Sequence, residues 1–307
     1  MKDLIIVGGG PAAVSAGVYA SRKKLETTLI AKEFGGQSKV SDSIENWIGT
    51  VTISGTDLAK SLEAHLDAYA APSVEVWKNE TVSAVEKVEG GFRATTASGK
   101  TVEAKAVIIA AGSARRKLSV PGADKFEHKG LTYCASCDGP IFTGQDVAVI
   151  GGGNAGFETA AQLLAYAKSV TLLSRGEFRA DAVTVEAVTK DPKMTALAGV
   201  EPVEVLGEKF MSGLRYKVSA TGEVKDLAVT GVFIEIGALP ATEIAANLIE
   251  RDEFGRIKVD PKTQRASVEG VWAAGDCTDG LYHQNNIAAG DAVKALEDAY
   301  LWIKSRK

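Results

Sequence analysis

The sequence contains little cysteine, histidine or proline, and it has no excess of positive charge. Of its 307 residues, three are Cys, three are His and eight are Pro, and 39 acidic side chains outnumber 35 basic ones. A formal net charge of −4 argues against nucleic-acid binding, which needs a basic surface. Three cysteines also do not supply the paired framework of a small secreted protein that depends on disulfides.

Long apolar runs are absent as well. The longest, such as 106–111, are far too short to cross a bilayer. The apolar stretch Leu4–Val7 is followed at once by Gly8-Gly9-Gly10-Pro11, which leaves no room for the apolar region of a signal peptide. We therefore expect a cytoplasmic protein without a membrane segment.

Glycine is abundant, with 32 positions, and its first cluster has a recognisable context. Residues 3–7 predict a strand, Gly8–Ala13 a turn, and the following residues a helix to about residue 24, before a second strand at 28–31. A turn of the GxGxxG type between strand and helix lets a backbone approach a pyrophosphate at the helix N-terminus. The first unit therefore predicts a dinucleotide site.

The same unit occurs again 143 residues later, from Gly8 to Gly151. A strand at 147–150, the turn Gly151–Gly156, a helix to about residue 167 and a strand at 170–173 repeat the first copy. Glycine-rich turns without a ligand are the competing interpretation, but two copies in register disfavour it. Equivalent positions are Gly8 and Gly151, Gly10 and Gly153, Ala13 and Gly156, Thr28 and Thr171, and Lys32 and Arg175.

The remaining pattern predicts an α/β fold with two Rossmann-like, three-layer dinucleotide-binding domains, the second inserted in the first. We assign residues 1–116 and 245–307 to the first domain and 117–244 to the second, with short hinges near 114–121 and 240–246. Alternating strands at 81–88, 92–96 and 102–104 indicate a small antiparallel meander, and apolar runs at 106–111 and 229–237 are typical of buried parallel strands. A further strand that ends in a turn is predicted within 270–276, and a final helix at about 287–303.

Two of the three cysteines form the motif Cys134-Ala135-Ser136-Cys137-Asp138. A CxxC motif near βαβ units is typical of a redox pair. Half of a zinc site is the alternative, but Cys277, His65, His128 and His283 lack ligand spacing, so we predict no metal; two inert buried thiols are a further alternative. Asp138 suits a proton donor for a departing thiolate, although alone it is typical of a turn before Gly139-Pro140.

A third element lies near the C-terminus. Asp276 follows Gly275 at the end of a predicted strand, where an acid can hydrogen-bond a sugar hydroxyl. The polar stretch Gln284-Asn285-Asn286 leads into the final helix, whose N-terminus can stabilise a negatively charged reduced flavin. Taken alone, Asp276 is a loop acid and Asn285 a helix cap.

These motifs together resemble the low-molecular-weight thioredoxin reductases and, equally, the C-terminal flavoprotein half of bacterial alkyl hydroperoxide reductase. They occur in the family's order and cover nearly the whole chain. The matching segments are Gly8–Ala13, Gly35-Gly36-Gln37, Glu45-Asn46-Trp47, Ala110-Ala111-Gly112, Cys134–Gly139, Gly151–Gly156 and Ala274-Gly275-Asp276.

The resemblance implies a homodimer with FAD in the first domain and a pyridine nucleotide in the inserted domain, which would rotate between two orientations. It places Cys137 against the flavin, makes Cys134 the thiol that attacks the substrate disulfide, and makes Asp138 the acid–base. The implied FAD residues are Gly8, Gly10, Pro11, Ala12, Ala13, Gly36, Gln37, Asn46, Ala111, Gly112, Gly275, Asp276, Gln284 and Asn285. The implied nucleotide residues are Gly151, Gly153, Asn154, Gly156, Ser174, Arg175 and Arg179.

The segment after the second repeated strand bears on the electron donor. Family members that use NADPH resemble a His-Arg-Arg run here, whereas this chain has Ser174-Arg175-Gly176-Glu177-Phe178-Arg179. Ser174 is not the acid that favours NADH, and Arg175 and Arg179 suit a 2′-phosphate, so we expect NADPH rather than NADH. Some relatives take electrons from ferredoxin and use neither nucleotide, but the intact turn Gly151–Gly156 argues against this.

The expected function is therefore a FAD-dependent disulfide oxidoreductase, most specifically a thioredoxin reductase. The sequence begins at its first Rossmann strand, without the thioredoxin-like portion of the peroxide-reductase flavoprotein, so we expect a separate dithiol protein, first thioredoxin, as acceptor. The alternatives are a ferredoxin- or flavodoxin-linked reductase, a flavin oxidase that passes electrons to oxygen, and a flavin-binding redox sensor without turnover.

Overall fold

The chain crosses twice between two units in the computed structural model, which describes residues 1–41 and 43–306. Met1–Ala114 and Ala238–Lys307 form unit 1, and Arg115–Gly237 forms unit 2. In each unit, one parallel strand of the main sheet leads through a glycine-rich turn into a helix. The predicted fold class, two Rossmann-like units with the second inserted in the first, is confirmed.

Unit 1 is built on a sheet with the strand order β3-β2-β1-β6-β5-β4, in which β17 also pairs with β6. Its strands are β1 Lys2–Val7, β2 Thr27–Ala31, β3 Val74–Lys78, β4 Val82–Val88, β5 Gly91–Thr96, β6 Thr101–Ile109, β7 Ser113–Arg115, β16 Ala238–Pro240 and β17 Val271–Ala273. Its helices are α1 Pro11–Arg22, α2 Gly55–Ala70 and α7 Asn285–Lys304, with 3-10 turns at Gly36–Val40 and Glu243–Ala245.

Both faces of this sheet are covered, which explains the continuous apolar character of its central strands. Leu4 and Ile6 of β1 pack beneath α1, α2 and α7, and Ile5 and Val7 face the opposite core cluster. Strands β1, β2, β3 and the second half of β6 run parallel, whereas β4 and β5 form an antiparallel meander with the first half of β6. The carboxyl ends of β1, β6 and β17 therefore meet at one edge.

Unit 2 contains a fully parallel sheet with the order β11-β10-β9-β15-β8 and a separate antiparallel sheet β12-β13-β14. Its strands are β8 Leu131–Thr132, β9 Asp146–Ile150, β10 Ser169–Ser174, β11 Met194–Ala198, β12 Val200–Gly207, β13 Met211–Val218, β14 Val224–Leu227 and β15 Gly231–Ile234. Its helices are α3 Ala123–Phe126, α4 Ala135–Asp138, α5 Asn154–Leu163 and α6 Ala182–Thr189, with a 3-10 turn at Gly139–Phe142.

The predicted internal repeat is visible in the secondary structure. Helix α1 begins at Pro11 and helix α5 at Asn154, and both follow a glycine as N-cap. Strand β1 ends at Val7 and strand β9 at Ile150, each immediately before a glycine with positive φ. The offset of 143 residues between these positions holds in three dimensions because both copies close the same turn.

Several strand boundaries differ from the sequence predictions. The segments 102–104 and 106–111 are not separate strands but parts of β6, which ends at Ile109 because its partner β1 ends opposite it at Val7. The run 229–237 yields only β15, which ends at Ile234 opposite Ile150 of β9. Within 270–276, the predicted strand is β17, and the turn predicted to follow it begins at Gly275; Gly270 and Gly275 on either side of the strand both adopt positive φ.

The crossings between the units consist of β7 and β16, which pair as a two-stranded sheet. The boundary between the units falls within β7, after residue 114, and directly before β16, after residue 237. The sequence pattern predicts domain boundaries after residues 116 and 244. Within the described ranges 1–41 and 43–306, no helix has the length and apolar character needed to span a membrane.

Candidate functional site

The first glycine-rich turn lies at the carboxyl edge of the unit 1 sheet. Gly8 has a φ of 131°, and a Cβ atom there would overlap the carbonyl oxygen of Ala110. Gly10 caps helix α1 without a side-chain bond, and Pro11 occupies its first turn. Because the first N–H groups of a helix have no partner within it, this end can hold a phosphate.

Side chains from distant parts of unit 1 converge on this edge. Gln37 Nε2 donates to Asp276 Oδ2 at 3.2 Å and to Ser113 Oγ at 3.0 Å. The Cα atom of Gly36 lies 3.9 Å from the ideal Cβ position of Gly10. The structure therefore brings Gly36, Gln37 and Asp276, all predicted as FAD residues, to the end of β1 and β17.

A second group of predicted residues joins the loop before α2 to the start of α7. Asn46 Nδ2 donates to Gln284 Oε1 at 3.3 Å, and Asn286 Nδ2 donates to the Asn46 carbonyl at 2.7 Å. Ser38 Oγ donates to Asn285 Oδ1 at 2.9 Å. Interpreted alone, Asn285 was a helix cap, but the N-cap is Gln284 and Asn285 is the first helical residue. The polar stretch thus ties α7 to the loop, and Gln284 occupies the N-cap position without a side-chain capping bond.

Five small residues predicted to bind FAD shape the backbone of the same edge. They are Ala12, Ala13, Ala111, Gly112 and Gly275. Gly112 and Gly275 adopt φ values of 68° and 76° shortly after β6 and β17. A Cβ atom on Gly275 would lie 3.4 Å from the Cβ atom of Ala12, so α1 and this loop approach closely. Ala13 is fully buried beneath the turn. Small residues here leave room for a ligand between the helices and the sheet.

Glu33 is a candidate that the sequence motifs did not include. It follows β2 and lies 20 residues after Ala13, the separation at which an acid binds the ribose of a dinucleotide. Lys39 Nζ donates to Glu33 Oε2 at 2.8 Å, and this bond lowers the pKa of the carboxyl. A charged carboxylate at this edge suits ribose hydroxyls, and the spacing from the first turn was the signal for it.

The second glycine-rich turn closes in unit 2 in the same way. Gly151 has a φ of 142°, and a Cβ atom there would overlap the carbonyl oxygen of Glu235. A Cβ atom on Gly156 would overlap the carbonyl oxygen of Gly151, so the helix packs directly on the turn. Gly153 caps α5 without a side-chain bond, and Asn154 Oδ1 accepts from the N–H of Asp181 at 2.8 Å. This end too can hold a phosphate.

The loop after β10 carries the residues predicted to select the nucleotide. Ser174 is buried against Gly152, where its hydroxyl fills the space that a Cβ atom would need. Arg175 and Arg179 lie in the loop that follows, with Arg175 exposed, and the Arg179 N–H donates to the Gly152 carbonyl at 2.7 Å. Two guanidinium groups are therefore carried beside the turn on the β10 side, and guanidinium suits a phosphate.

The CxxC motif forms a disulfide in unit 2. Cys134 and Cys137 are bonded, with their Cα atoms 5.3 Å apart. Cys134 is the N-cap of the short helix α4, and its Sγ atom accepts from the Cys137 N–H at 3.2 Å. Ala135 is buried and anchors this turn in the core beside α5. Backbone N–H groups directed at a sulfur favour its thiolate, which is the reactive form.

Asp138 is held by a residue that no sequence motif singled out. The hydroxyl of Thr132, at the end of β8, donates to Asp138 Oδ2. Thr132 is only 6% exposed, so the contact lies under the dithiol segment. The Arg115 guanidinium donates to the carbonyl of Tyr133, and burial raises the pKa of the Tyr133 phenol. The one sequence signal that could have pointed to Thr132 is its position two residues before Cys134.

The third cysteine belongs to unit 1, whereas the CxxC motif belongs to unit 2. Cys277 is fully buried in unit 1, and its Sγ atom donates to the carbonyls of Ile109 and Ala274, each at 3.4 Å. Burial raises its pKa to about 11, so the thiol stays protonated near neutral pH. Among the described residues, no group of three or more His, Cys, Asp or Glu side chains is arranged to hold a metal ion.

The chain matches the model of the family described as pyridine nucleotide-disulphide oxidoreductase over residues 2–292. It is 39% identical over 302 residues to a protein named NADH dehydrogenase from Bacillus subtilis, covering 98% of this chain and 58% of that protein. It is 38% identical over 306 residues to the F component of alkyl hydroperoxide reductase from Escherichia coli, again covering 98% and 58%. The chain thus spans a little over half the length of these curated relatives.

Solved structures of similar length also match. Thioredoxin reductase from Streptococcus pyogenes is 33% identical, with a TM-score of 0.90 and 99% of each chain covered. Thioredoxin reductase from Giardia duodenalis is 31% identical, with a TM-score of 0.91 and 99% of each chain covered. The fold is therefore that of thioredoxin reductases.

Proposed function

Because the chain belongs to the pyridine nucleotide-disulphide oxidoreductase family, we propose that it is a FAD-dependent disulfide reductase of the thioredoxin reductase type. In this function, the Cys134–Cys137 disulfide would be reduced at the expense of NADPH with FAD as the electron carrier, and the dithiol would then reduce the disulfide of a thioredoxin-like protein. The observation that carries this proposal is the bonded Cys134–Cys137 pair in the same unit as a second dinucleotide turn.

The residues at the carboxyl edge of unit 1 fit FAD. The turn at Gly8 excludes any side chain, the start of α1 supplies unpaired N–H groups for the pyrophosphate, and Glu33 supplies a carboxylate for the ribose. Gln37 and Asp276 add polar groups where β17 ends. When bound, FAD supplies a carrier that accepts two electrons from a nicotinamide and delivers them to a disulfide.

The dithiol then completes a balanced exchange. In the reduced protein, the Cys134 thiolate attacks one sulfur of the substrate disulfide, which breaks the substrate S–S bond and forms a mixed disulfide. The departing substrate thiolate takes a proton, for which Asp138 is the donor. The Cys137 thiolate then attacks Cys134, which reforms the Cys134–Cys137 disulfide and releases the second substrate thiolate. Two electrons reach the substrate, and its two thiolates take up one proton from Asp138 and one from solvent.

NADPH is favoured over NADH by the charges near the second turn. Ser174 offers no carboxylate at the end of β10, and Arg175 and Arg179 lie in the loop beside the turn. Glu177, in the same loop, is the one feature that favours NADH, since an acid in that loop can bind ribose hydroxyls. If neither NADPH nor NADH reduces the flavin, ferredoxin is the electron donor to consider.

We also propose a homodimer that works with a separate thioredoxin. Apolar side chains are exposed on unit 1 beside the paired loops, with Ile48 at 82%, Val51 at 91% and Leu281 at 81%. Exposed apolar side chains grouped in this way are typical of protein-contact surfaces. Because thiols persist in a reducing compartment, we place the activity in the cytoplasm. Light scattering of the FAD-loaded protein tests the dimer.

The decisive experiment is an anaerobic titration of the FAD-loaded protein with NADPH and, separately, with NADH. Bleaching of the flavin by NADPH near the stoichiometric amount, followed by catalytic reduction of an added thioredoxin disulfide, is the expected result. If NADH bleaches the flavin and NADPH does not, NADH is the electron donor in place of NADPH. If dithionite bleaches the flavin but neither nucleotide does, the nucleotide-linked proposal is wrong and ferredoxin becomes the donor to test.

A further inference from the structure

Glu235 occupies a position between the second dinucleotide turn and the dithiol segment. It follows the last residue of β15, and its N–H donates to the Ile150 carbonyl at 2.8 Å. On one side β15 pairs with β9, which leads into Gly151, and on the other with β8, which leads to Cys134. The sheet order alone therefore places an acid at the carboxyl edge where ligands of such sheets bind.

The contact with the turn is direct. The ideal Cβ position of Gly151 lies 3.2 Å from the Cβ atom of Glu235, so no side chain separates the turn from this acid. The N-terminus of α5 is the place for a pyrophosphate, and Ser174 and the two arginines lie on the β10 side of the turn. A dinucleotide that places its adenosine toward β10 must extend its nicotinamide half toward β15, on the other side of β9.

The carboxyl of Glu235 is largely removed from water and only partly satisfied by protein. Thr159 Oγ1, on α5, donates to Glu235 Oε1 at 2.8 Å. Within residues 1–41 and 43–306, no Lys or Arg side chain lies within ion-pair distance of this carboxyl. Burial raises its pKa, and the more distant charge of Arg115 opposes that shift. A buried carboxyl costs free energy that a neutral side chain would avoid, which points to a ligand.

We propose that Glu235 binds the nicotinamide riboside of the pyridine nucleotide, accepting a hydrogen bond from its ribose hydroxyls or carboxamide N–H group. This inference rests on the proposed function, because it assigns the ligand of the same unit 2 site. Glu235 selects the nicotinamide half, whereas Arg175 and Arg179 select the adenosine half. The two ends of one ligand are thus recognised by residues on opposite sides of Gly151.

The test separates the two halves of the ligand. The FAD-loaded full chain, as wild type and as Glu235→Gln, is titrated with NADP⁺ and with adenosine 2′-phosphate 5′-diphosphate, a fragment that lacks the whole nicotinamide riboside, and binding is followed by calorimetry. We expect the substitution to weaken NADP⁺ binding about tenfold, the effect of losing one hydrogen bond to a charged group. The fragment should bind both proteins equally, which also shows that unit 2 is folded.

Two further variants keep the proposal testable. Glu235→Asp retains the charge but withdraws the carboxyl by one methylene, and it should weaken NADP⁺ binding as Gln does. Glu186→Gln removes an exposed acid of α6 that pairs with Lys190 at 2.7 Å and should leave both affinities unchanged. Equal loss for NADP⁺ and the fragment, or no loss for either, overturns the role of Glu235. Failure of the wild type to bind NADP⁺, NAD⁺ and the fragment alike overturns the proposed function itself.

Discussion

The hydroxyl of Thr132 donates a hydrogen bond to the Oδ2 atom of Asp138, the acid that follows the redox pair. Thr132 is buried at the end of β8, where it pairs with Phe233 of β15. A rigid strand thus fixes the orientation of a carboxyl that lies on a four-residue helix. The orientation of the proposed proton donor is therefore tied to the sheet as well as to the short helix that carries it.

Removal of this hydroxyl should slow thiol–disulfide exchange. We expect Thr132→Val to lower kcat for reduction of a thioredoxin disulfide about tenfold, because Asp138 loses the bond that orients it. The rate at which the nucleotide bleaches the flavin should not change, since that step does not use Asp138. Stopped-flow absorbance and a steady-state disulfide assay measure the two steps separately.

Thr132→Ser is the matched control for this substitution. It keeps the hydroxyl and removes one methyl group, so the disulfide assay should stay within about twofold of wild type. Equal losses in Thr132→Val and Thr132→Ser would show that packing of the methyl group, and not the bond to Asp138, sets the rate.

The three cysteines should differ sharply in their contribution to turnover. Cys134→Ser and Cys137→Ser should each abolish reduction of a protein disulfide, because both sulfurs are needed to close the exchange. Flavin bleaching by the nucleotide should persist in both variants. Cys277→Ala should retain activity, since that thiol is buried within a hydrophobic core cluster of unit 1. Loss of activity in Cys277→Ala with normal FAD content would contradict this assignment.

Local motifs explain which parts of the site could be predicted from sequence. Gly8 and Gly151 must adopt positive φ and face a carbonyl oxygen, so the requirement is confined to a few adjacent residues and appears in each repeat. The Cys134–Cys137 pair is equally local, because a turn of helix brings residues three apart together. The fold class can also be predicted from this repeat of strand, glycine-rich turn and helix.

The missed residues depend on sheet order, which no local pattern encodes. Glu235 reaches the second turn only because β15 inserts between β9 and β8, and Thr132 reaches Asp138 across the end of β8. The sequence does carry a signal for Glu33, which is its distance of 20 residues from Ala13 in the first turn. Helix α2 and the sheet β12-β13-β14 also went unassigned, because amphipathic surface segments have weak boundary signals.

The arginines of unit 2 should control the choice of nucleotide. We expect Arg175→Ala and Arg179→Ala each to raise the KM for NADPH about tenfold, since each removes a charged donor to the 2′-phosphate. The KM for NADH should change less than about twofold, because NADH lacks that phosphate. Glu177→Gln removes a charge from the same loop without removing a phosphate donor, so it should not raise the KM for NADPH. A parallel rise for both nucleotides would assign the arginines a structural role.

Gly151 and Gly176 provide a comparison of two glycines near the same ligand. A Cβ atom at Gly151 would overlap the Glu235 carbonyl, and its φ of 142° disfavours any side chain. We expect Gly151→Ala to destabilise unit 2 by about 2 kcal/mol or more and to abolish nucleotide binding. Gly176 has open space around it, so Gly176→Ala should change neither. Thermal unfolding and calorimetric titration measure both effects.

The buried thiol of Cys277 should make stability depend on alkaline pH. Its pKa is raised to about 11 in the folded protein from an ordinary value of 9.0, because burial disfavours the thiolate. The folded state therefore holds this proton more tightly than the unfolded state, and stability is fully present below about pH 9. It falls as pH rises toward about 11, by roughly 2–3 kcal/mol in total.

Cys277→Ala isolates this contribution from the many other groups that titrate at high pH. Denaturant unfolding of wild type and variant should give a difference in free energy that is constant below about pH 8 and shrinks steadily between about pH 9 and 11. In the reduced native protein at about pH 8, iodoacetamide should label Cys134 and Cys137 but spare Cys277, which reacts only after unfolding. Rapid labelling of Cys277 in the native state would show that the core around it opens far more readily than its packing implies.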